Sequence, residues 1–298
     1  MAIEMIRMNA TPTGMRLNDW VAMEEGLFAK EGLDVKVDWE VLHRQQARQG
    51  TMTDTDMPRA QDLRLGKFLP NSEVTSACGW GSLCMAGAGM GKFLSDSYGV
   101  SPCGIFVRAE SKIRKPEDLK GVPVGVGLRA GSHFSLFYVM EKYLPLHDIN
   151  AVNVGGFGAR LEALLKGTVE AANLLPPQIY MAKQLGLRQV VGGEFPVIWW
   201  VRENTDRQKV TRYLRAIAAA EKLLEQDLKK YLPLWKYSIP KEFEDQKWDY
   251  SKFGRGERYV DSPVSKKDFD TMMEASARWK LDNHVTNRAF ESLAFQVA

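Results

Sequence analysis

The chain has 298 residues, 45% of them hydrophobic and 26% charged, which is enough apolar material for one large core or two medium ones. Its 40 basic and 37 acidic residues leave a net charge of +3, which makes no electrostatic case for nucleic acid or an anionic membrane as partner. Single cores stop growing beyond about 250–300 residues, so two lobes are expected.

The N-terminal stretch MAIEMIRMNATPTG carries Glu4 and Arg7 and lacks an unbroken apolar run, so no signal peptide is read in it. The expectation is a cytoplasmic protein as given, or a periplasmic one if a leader has been removed. Glu4 to Met8 reads as a strand. NATPTGMR is a turn, with Thr13 as helix N-cap, and Leu17, Trp20, Val21 and Phe28 mark one face of the following helix. Gly32 suits the helix end, and LDVKVDWEV alternates as a strand does. This β-α-β order implies parallel pairing.

Residues 50–66 are polar and carry Asp54 and Asp56, an acid pair that fits a helix cap better than a site. SEVTSACGW reads as a strand, and the small-residue connection after it has no readable period. CGIFVRAES is a strand and KPEDLKG a short helical turn. Cys78, Cys84 and Cys103 cannot all pair within one chain and show no metal-ligand spacing, so a reducing compartment is favoured and no metal or cofactor is implied.

Next comes GVPVGVGLRAGSHFSLF, a strand, a glycine turn and a helix from about Ser132 to Leu144. Its Gly125, Gly127 and Gly131 approach a dinucleotide fingerprint. That fingerprint also needs an acid at the end of the next strand, and AVNVGGF ends in glycines instead. A helix start that binds an anion survives the loss. ARLEALLKG is a helix stopped by Gly167, VEAANLL a strand, QIYMAKQLG a helix, and LRQVV and PVIWWVRE two strands. Phe195 to Val201, the longest apolar run, is too short to span a bilayer. From Asp206 a long amphipathic helix runs, residues 235–263 read as a loop or cap, and a last helix starts near Ser265.

Three stretches together resemble the type II periplasmic binding-protein fold, in its nitrate/sulfonate/taurine solute-binding and thiamine-pyrimidine-precursor branch. They are VAMEEGLFAKEGLDVKV, GIFVRAESKIRKPEDLKGVPVGVG and LEALLKGTVEAANLLPPQIYMAKQLGLRQVVGG. The resemblance implies two Rossmann-like α/β lobes with mixed sheets joined by two hinge strands. Residues 1–104 and 194–298 would form lobe one and residues 105–193 lobe two, with a ligand cleft between them. It also implies a small-molecule ligand and, for a transport protein, an ABC permease as partner.

On that frame, Ser132 and His133 would offer free amide donors at the helix start, and Arg129 a charge-assisted contact. Thr11 and Thr13 would do the same in lobe one. His43, Trp80, Asn173 and Trp199 fall at strand ends or on the hinge, where the family meets its ligand. Of neighbouring Trp199 and Trp200, one should face the cleft and the other the core. His43, His133 and Cys78 are the candidate catalytic groups, since imidazoles move protons near neutral pH and a thiolate is a nucleophile. Cys84 and Cys103 read as packing. Two functions follow: a binding protein that closes on a small organic anion, aromatic or aliphatic, or a cytoplasmic enzyme on the same scaffold, such as a decarboxylase, lyase or hydrolase, acting on a small carboxylic acid. The pyrimidine-forming enzymes of this branch carry a cysteine-rich motif that this chain lacks.

Overall fold

The computed structural model describes residues 5–11, 14–37 and 72–297. Among them lie eleven strands of one mixed sheet: β1 (Ile6–Thr11), β2 (Leu33–Val37), β3 (Val74–Cys78), β4 (Lys92–Leu94), β5 (Tyr98–Val107), β6 (Pro123–Val126), β7 (Asn150–Asn153), β8 (Ala171–Leu174), β9 (Arg188–Val201), β10 (Arg258–Val260) and β11 (Ala294–Phe295). The helices that position them are α1 (Asn18–Glu24), α2 (Leu27–Lys30), α3 (Gly79–Gly87), α4 (Gly131–Met140), α5 (Phe157–Leu165), α6 (Gln178–Gln184), α7 (Arg207–Gln226) and α8 (Lys266–Arg278).

The main strand order is β2-β1-β3-β9-β5-β8-β6-β7. β2, β1 and β3 run parallel, as do β8, β6 and β7. The long antiparallel pair β5 and β9 joins the two sets. The segments LRQVV and PVIWWVRE are therefore one continuous strand of 14 residues, bridged by the glycines between them. A side chain at Gly192 would press on the Cys103 carbonyl of β5, which is why the strand's middle carries no side-chain signal.

Register fixes where the strand ends point. Cys78, the last residue of β3, pairs with Val197 of β9, whereas Leu174, the last of β8, lies level with Gly192 through Gly104. The two parallel sets are antiparallel to one another, so their C-terminal ends face each other. They are five residues of β9 apart, a spacing of roughly 17 Å at strand rise.

Side chains of this sheet feed two large apolar clusters, while Trp200 packs separately with Met85 and Met90. Phe106 of β5 and Leu174 of β8 join α1, α2, α5, α6 and α7 on one face, while Cys103, Ile105 and Val107 join α3, α4 and α8 on the other. Both clusters run through both ends of the sheet, so burial divides by sheet face. Residues 232–252 form three short 3-10 turns, and β10 then pairs with β5. Within the first of these turns Trp235 is fully buried and tilts against Tyr180 of α6.

Candidate functional site

The turn from β6 into α4 is built by its own side chains. The Gly127 amide donates to Ser132 Oγ at 2.9 Å, and the Arg129 amide to His133 Nδ1 at 3.0 Å. Arg129 takes a left-handed backbone, φ 52°, so the chain reverses tightly at a non-glycine residue. A side chain at Gly127 would meet the Gly155 carbonyl at 2.8 Å, so the turns after β6 and β7 touch backbone to backbone. Asn153 Oδ1 ties them further by accepting from the Leu128 and Gly155 amides.

This arrangement decides which donors remain. The His133 amide donates to the Ala130 carbonyl at 2.9 Å, so it is not one of the free pair expected from sequence. The free pair is Gly131 and Ser132, whose N–H groups have no acceptor among the described residues. Ala130, the N-cap, brings no side-chain acceptor to them. Two unpaired amides at the positive end of a ten-residue helix favour an anion. Because Nδ1 of His133 accepts, the neutral ring carries its proton on Nε2.

Asn173, at the end of β8, holds this helix start in place. Its Nδ2 donates to the Ser132 carbonyl at 2.7 Å and to Ser135 Oγ at 2.8 Å. The side-chain amide that sequence reading gave to a ligand thus has its nitrogen bonded to α4, while its Oδ1 is buried without a partner among the described residues. Arg129 is buried and turns toward the C-terminal segment. With the Asn283 amide oriented oxygen-first, that oxygen accepts from Arg129 Nη2 at 2.7 Å.

Across from α4 stands the end of β3. Cys78 caps α3, its Sγ accepting from the Gly81 amide at 3.3 Å. A Cβ at Gly131 would lie 3.5 Å from that of Cys78, so the starts of α3 and α4 meet at this residue. Cys84 and Cys103 are packing residues, as read: burial pushes their thiols up to about 11 and about 12.

The two tryptophan candidates are committed elsewhere. Trp80 is buried between Phe134 of α4, Phe195 of β9 and Trp279 beyond α8. Trp199 is fully buried beneath the Arg16 guanidinium, and Trp200 donates to the Met90 carbonyl from the opposite face. The two do alternate across the sheet, but neither side chain is exposed. Thr13, His43, Asp54 and Asp56 lie outside the described residues, as does the side chain of Thr11.

Sequence reading missed a buried ionic cluster around Arg16, the residue that closes the turn after β1. Its Nε meets Asp19 at 2.6 Å, its Nη1 meets Ser76 at 2.8 Å and Glu257 at 2.9 Å, and Tyr213 donates to Asp19 at 2.6 Å. Burial alone would lower the Arg16 pKa, but Asp19, Tyr213 and Glu257 outweigh it and hold it well above the usual value. Burial holds Glu257 above the ordinary carboxylate range, with Arg16 opposing. The cluster ties the β1–α1 turn to β3 and to the segment before β10. The one early signal was an arginine placed between a turn and a helix.

No family model matches the sequence, and neither does any curated protein. Solved structures do match along almost the whole chain. The alkanesulfonate-binding protein SsuA from Xanthomonas axonopodis pv. citri, bound to MOPS, is 15% identical with a TM-score of 0.68, covering 97% of this chain and 98% of that one. The periplasmic aliphatic sulphonate binding protein SsuA from Escherichia coli is 15% identical with a TM-score of 0.64, covering 99% and 93%. The desulfurization enzyme DSZB is 15% identical with a TM-score of 0.58, covering 97% and 96%. At these identities the likeness speaks for architecture, and it agrees with the mixed sheet and paired long strands: the chain has the type II periplasmic binding-protein fold.

Proposed function

We propose that this protein captures a small organic anion between the facing C-terminal strand ends. In this reading residues 1–104 with 194–298 and residues 105–193 act as two lobes that close on the ligand, with β5 and β9 as hinge strands. The observation that carries it is the unpaired Gly131 and Ser132 amides at the start of α4. Ligands of open α/β sheets bind outside the carboxyl ends of strands, often on helix N-termini. The sulfonate-binding neighbours support a solute-binding role of this kind. For a transport protein the partner would be an ABC permease. Among the described residues no helix is long and apolar enough to cross a membrane.

A second reading is favoured by the position of Cys78. Its sulfur caps α3 while the free amides of α4 start beside it, which is the pairing of nucleophile and oxyanion donors that acyl-type chemistry uses. DSZB, an enzyme of the same fold, supports keeping this reading. His133, with its Nε2–H, would donate a hydrogen bond to the charge that develops on the substrate. Calorimetric titration with carboxylates and sulfonates, followed by mass spectrometry of the recovered ligand, separates the two. Binding with unchanged ligand supports capture, and a converted ligand supports the enzyme. No binding across the series would overturn both.

A further inference from the structure

Arg160 stands one turn inside α5, is 2% exposed, and makes no hydrogen bond or ion pair among the described residues. Its Nε is buried without an acceptor, and its guanidinium carbon lies 4.9 Å above the ring of Phe157, the first residue of the helix. Helical side chains lean toward the N-terminus, and this one brings its charge back to the helix start. There the amides of Phe157, Gly158 and Ala159 also lack acceptors among the described residues, and Gly156 offers no side-chain cap. Buried arginines are ordinarily paired, because an uncompensated buried charge opposes folding. Burial, with no charged neighbour contributing, pushes this guanidinium down to about 9, so it is still a cation at neutral pH. α5 follows the turn whose Gly155 touches Gly127, so its start lies on the same sheet edge as the start of α4.

We infer that Arg160 and the first turn of α5 share the charged group of the ligand with the Gly131 and Ser132 amides, and that this group is a monoanionic oxyanion such as a carboxylate, sulfinate or sulfonate. The inference rests on the anion-capture reading and names the residue that takes the charge. One guanidinium offers a planar fork to two oxygens of such a group. A single positive charge balances one negative charge and leaves half of a dianion uncompensated. The carboxylate of Glu242 borders the same turn at Gly158, and it adds to the penalty on a second negative charge.

Four probes test this by calorimetry near neutral pH: benzoate, benzenesulfonate, phenylphosphonate and the neutral benzenesulfonamide. Wild-type protein should bind the first two and not the sulfonamide, and phenylphosphonate should weaken as pH rises through its second ionisation. Arg160→Met should weaken the monoanions about 10- to 100-fold, the range of a charge-assisted hydrogen bond, and Arg160→Lys should retain part of the affinity. Ligand-free Arg160→Met should melt no lower than wild type, because it removes an unpaired charge; a purely structural arginine would melt lower when replaced. Wild-type binding with equal affinity in Arg160→Met would overturn the assignment of Arg160 and leave anion capture standing. Failure of wild type to bind any anion would overturn the capture reading itself.

Discussion

Replacing Arg16 with methionine tests the ionic cluster under the β1–α1 turn. Arg16 is 1% exposed, and its guanidinium touches Asp19, Ser76, Glu257 and Tyr213 within 3.3 Å. Methionine keeps contact with the Trp199 ring, so little cavity forms and the loss is electrostatic. Stranding buried carboxylates in this way costs about 3–5 kcal/mol. The loss also depends on pH. Burial already holds Glu257 above its unfolded value, and Arg16 is what opposes that rise. Without Arg16 the Glu257 pKa climbs further, so its contribution is fully present below the unfolded value of about 4.3 and is lost as pH rises through the folded one. Urea denaturation near pH 5 and near pH 8 measures both effects. The variant's deficit should be several kcal/mol and larger at the higher pH; a deficit below about 1 kcal/mol, or one that shrinks as pH rises, would refute the reasoning.

Asn173→Ala removes two short buried hydrogen bonds to α4 and should destabilise the protein by about 2–4 kcal/mol in thermal or urea unfolding. A loss within experimental error would mean that Asn173 does not hold the helix start. Cys84 and Cys103, with thiols raised to about 11 and about 12, should resist iodoacetamide in the native protein and react on unfolding. Peptide mapping that finds either one alkylated at the rate of a free thiol in folded protein would contradict their burial.

What could be read from the sequence was what is local. The strand, glycine turn and helix at 122–140 follow from apolar runs and glycine spacing, and the long helix α7 from its amphipathic stripe, begun one residue early at Asp206, which is its N-cap. α3 was unreadable because GWGSLCMAG has small residues and no amphipathic period, and because its cap is a cysteine rather than a common capping residue. β9 was split in two because its central glycines remove the alternation. The charged core residues were invisible for a different reason. Arg16 pairs with Glu257, 241 positions away, and a lone arginine in sequence reads as solvated. Arg160 was hidden within ARLEALLKG by the same default. At the site, the choice between the His133 and Gly131 amides depended on one hydrogen bond to Ala130, which spacing does not reveal.

The central claim is that the start of α4 binds an anion through the amides of Gly131 and Ser132. Gly131→Pro removes one of these donors at the first helical position, where proline is tolerated, and Ala130 before it is already extended, φ −99° and ψ 175°. The added Cβ would meet Leu175 and Cys78 at 3.4 Å and 3.5 Å, ordinary van der Waals contact. Calorimetric titration of benzenesulfonate and benzoate into both proteins should give binding to wild type and an affinity about 10-fold lower in the folded variant. Equal affinities in the two would contradict the account.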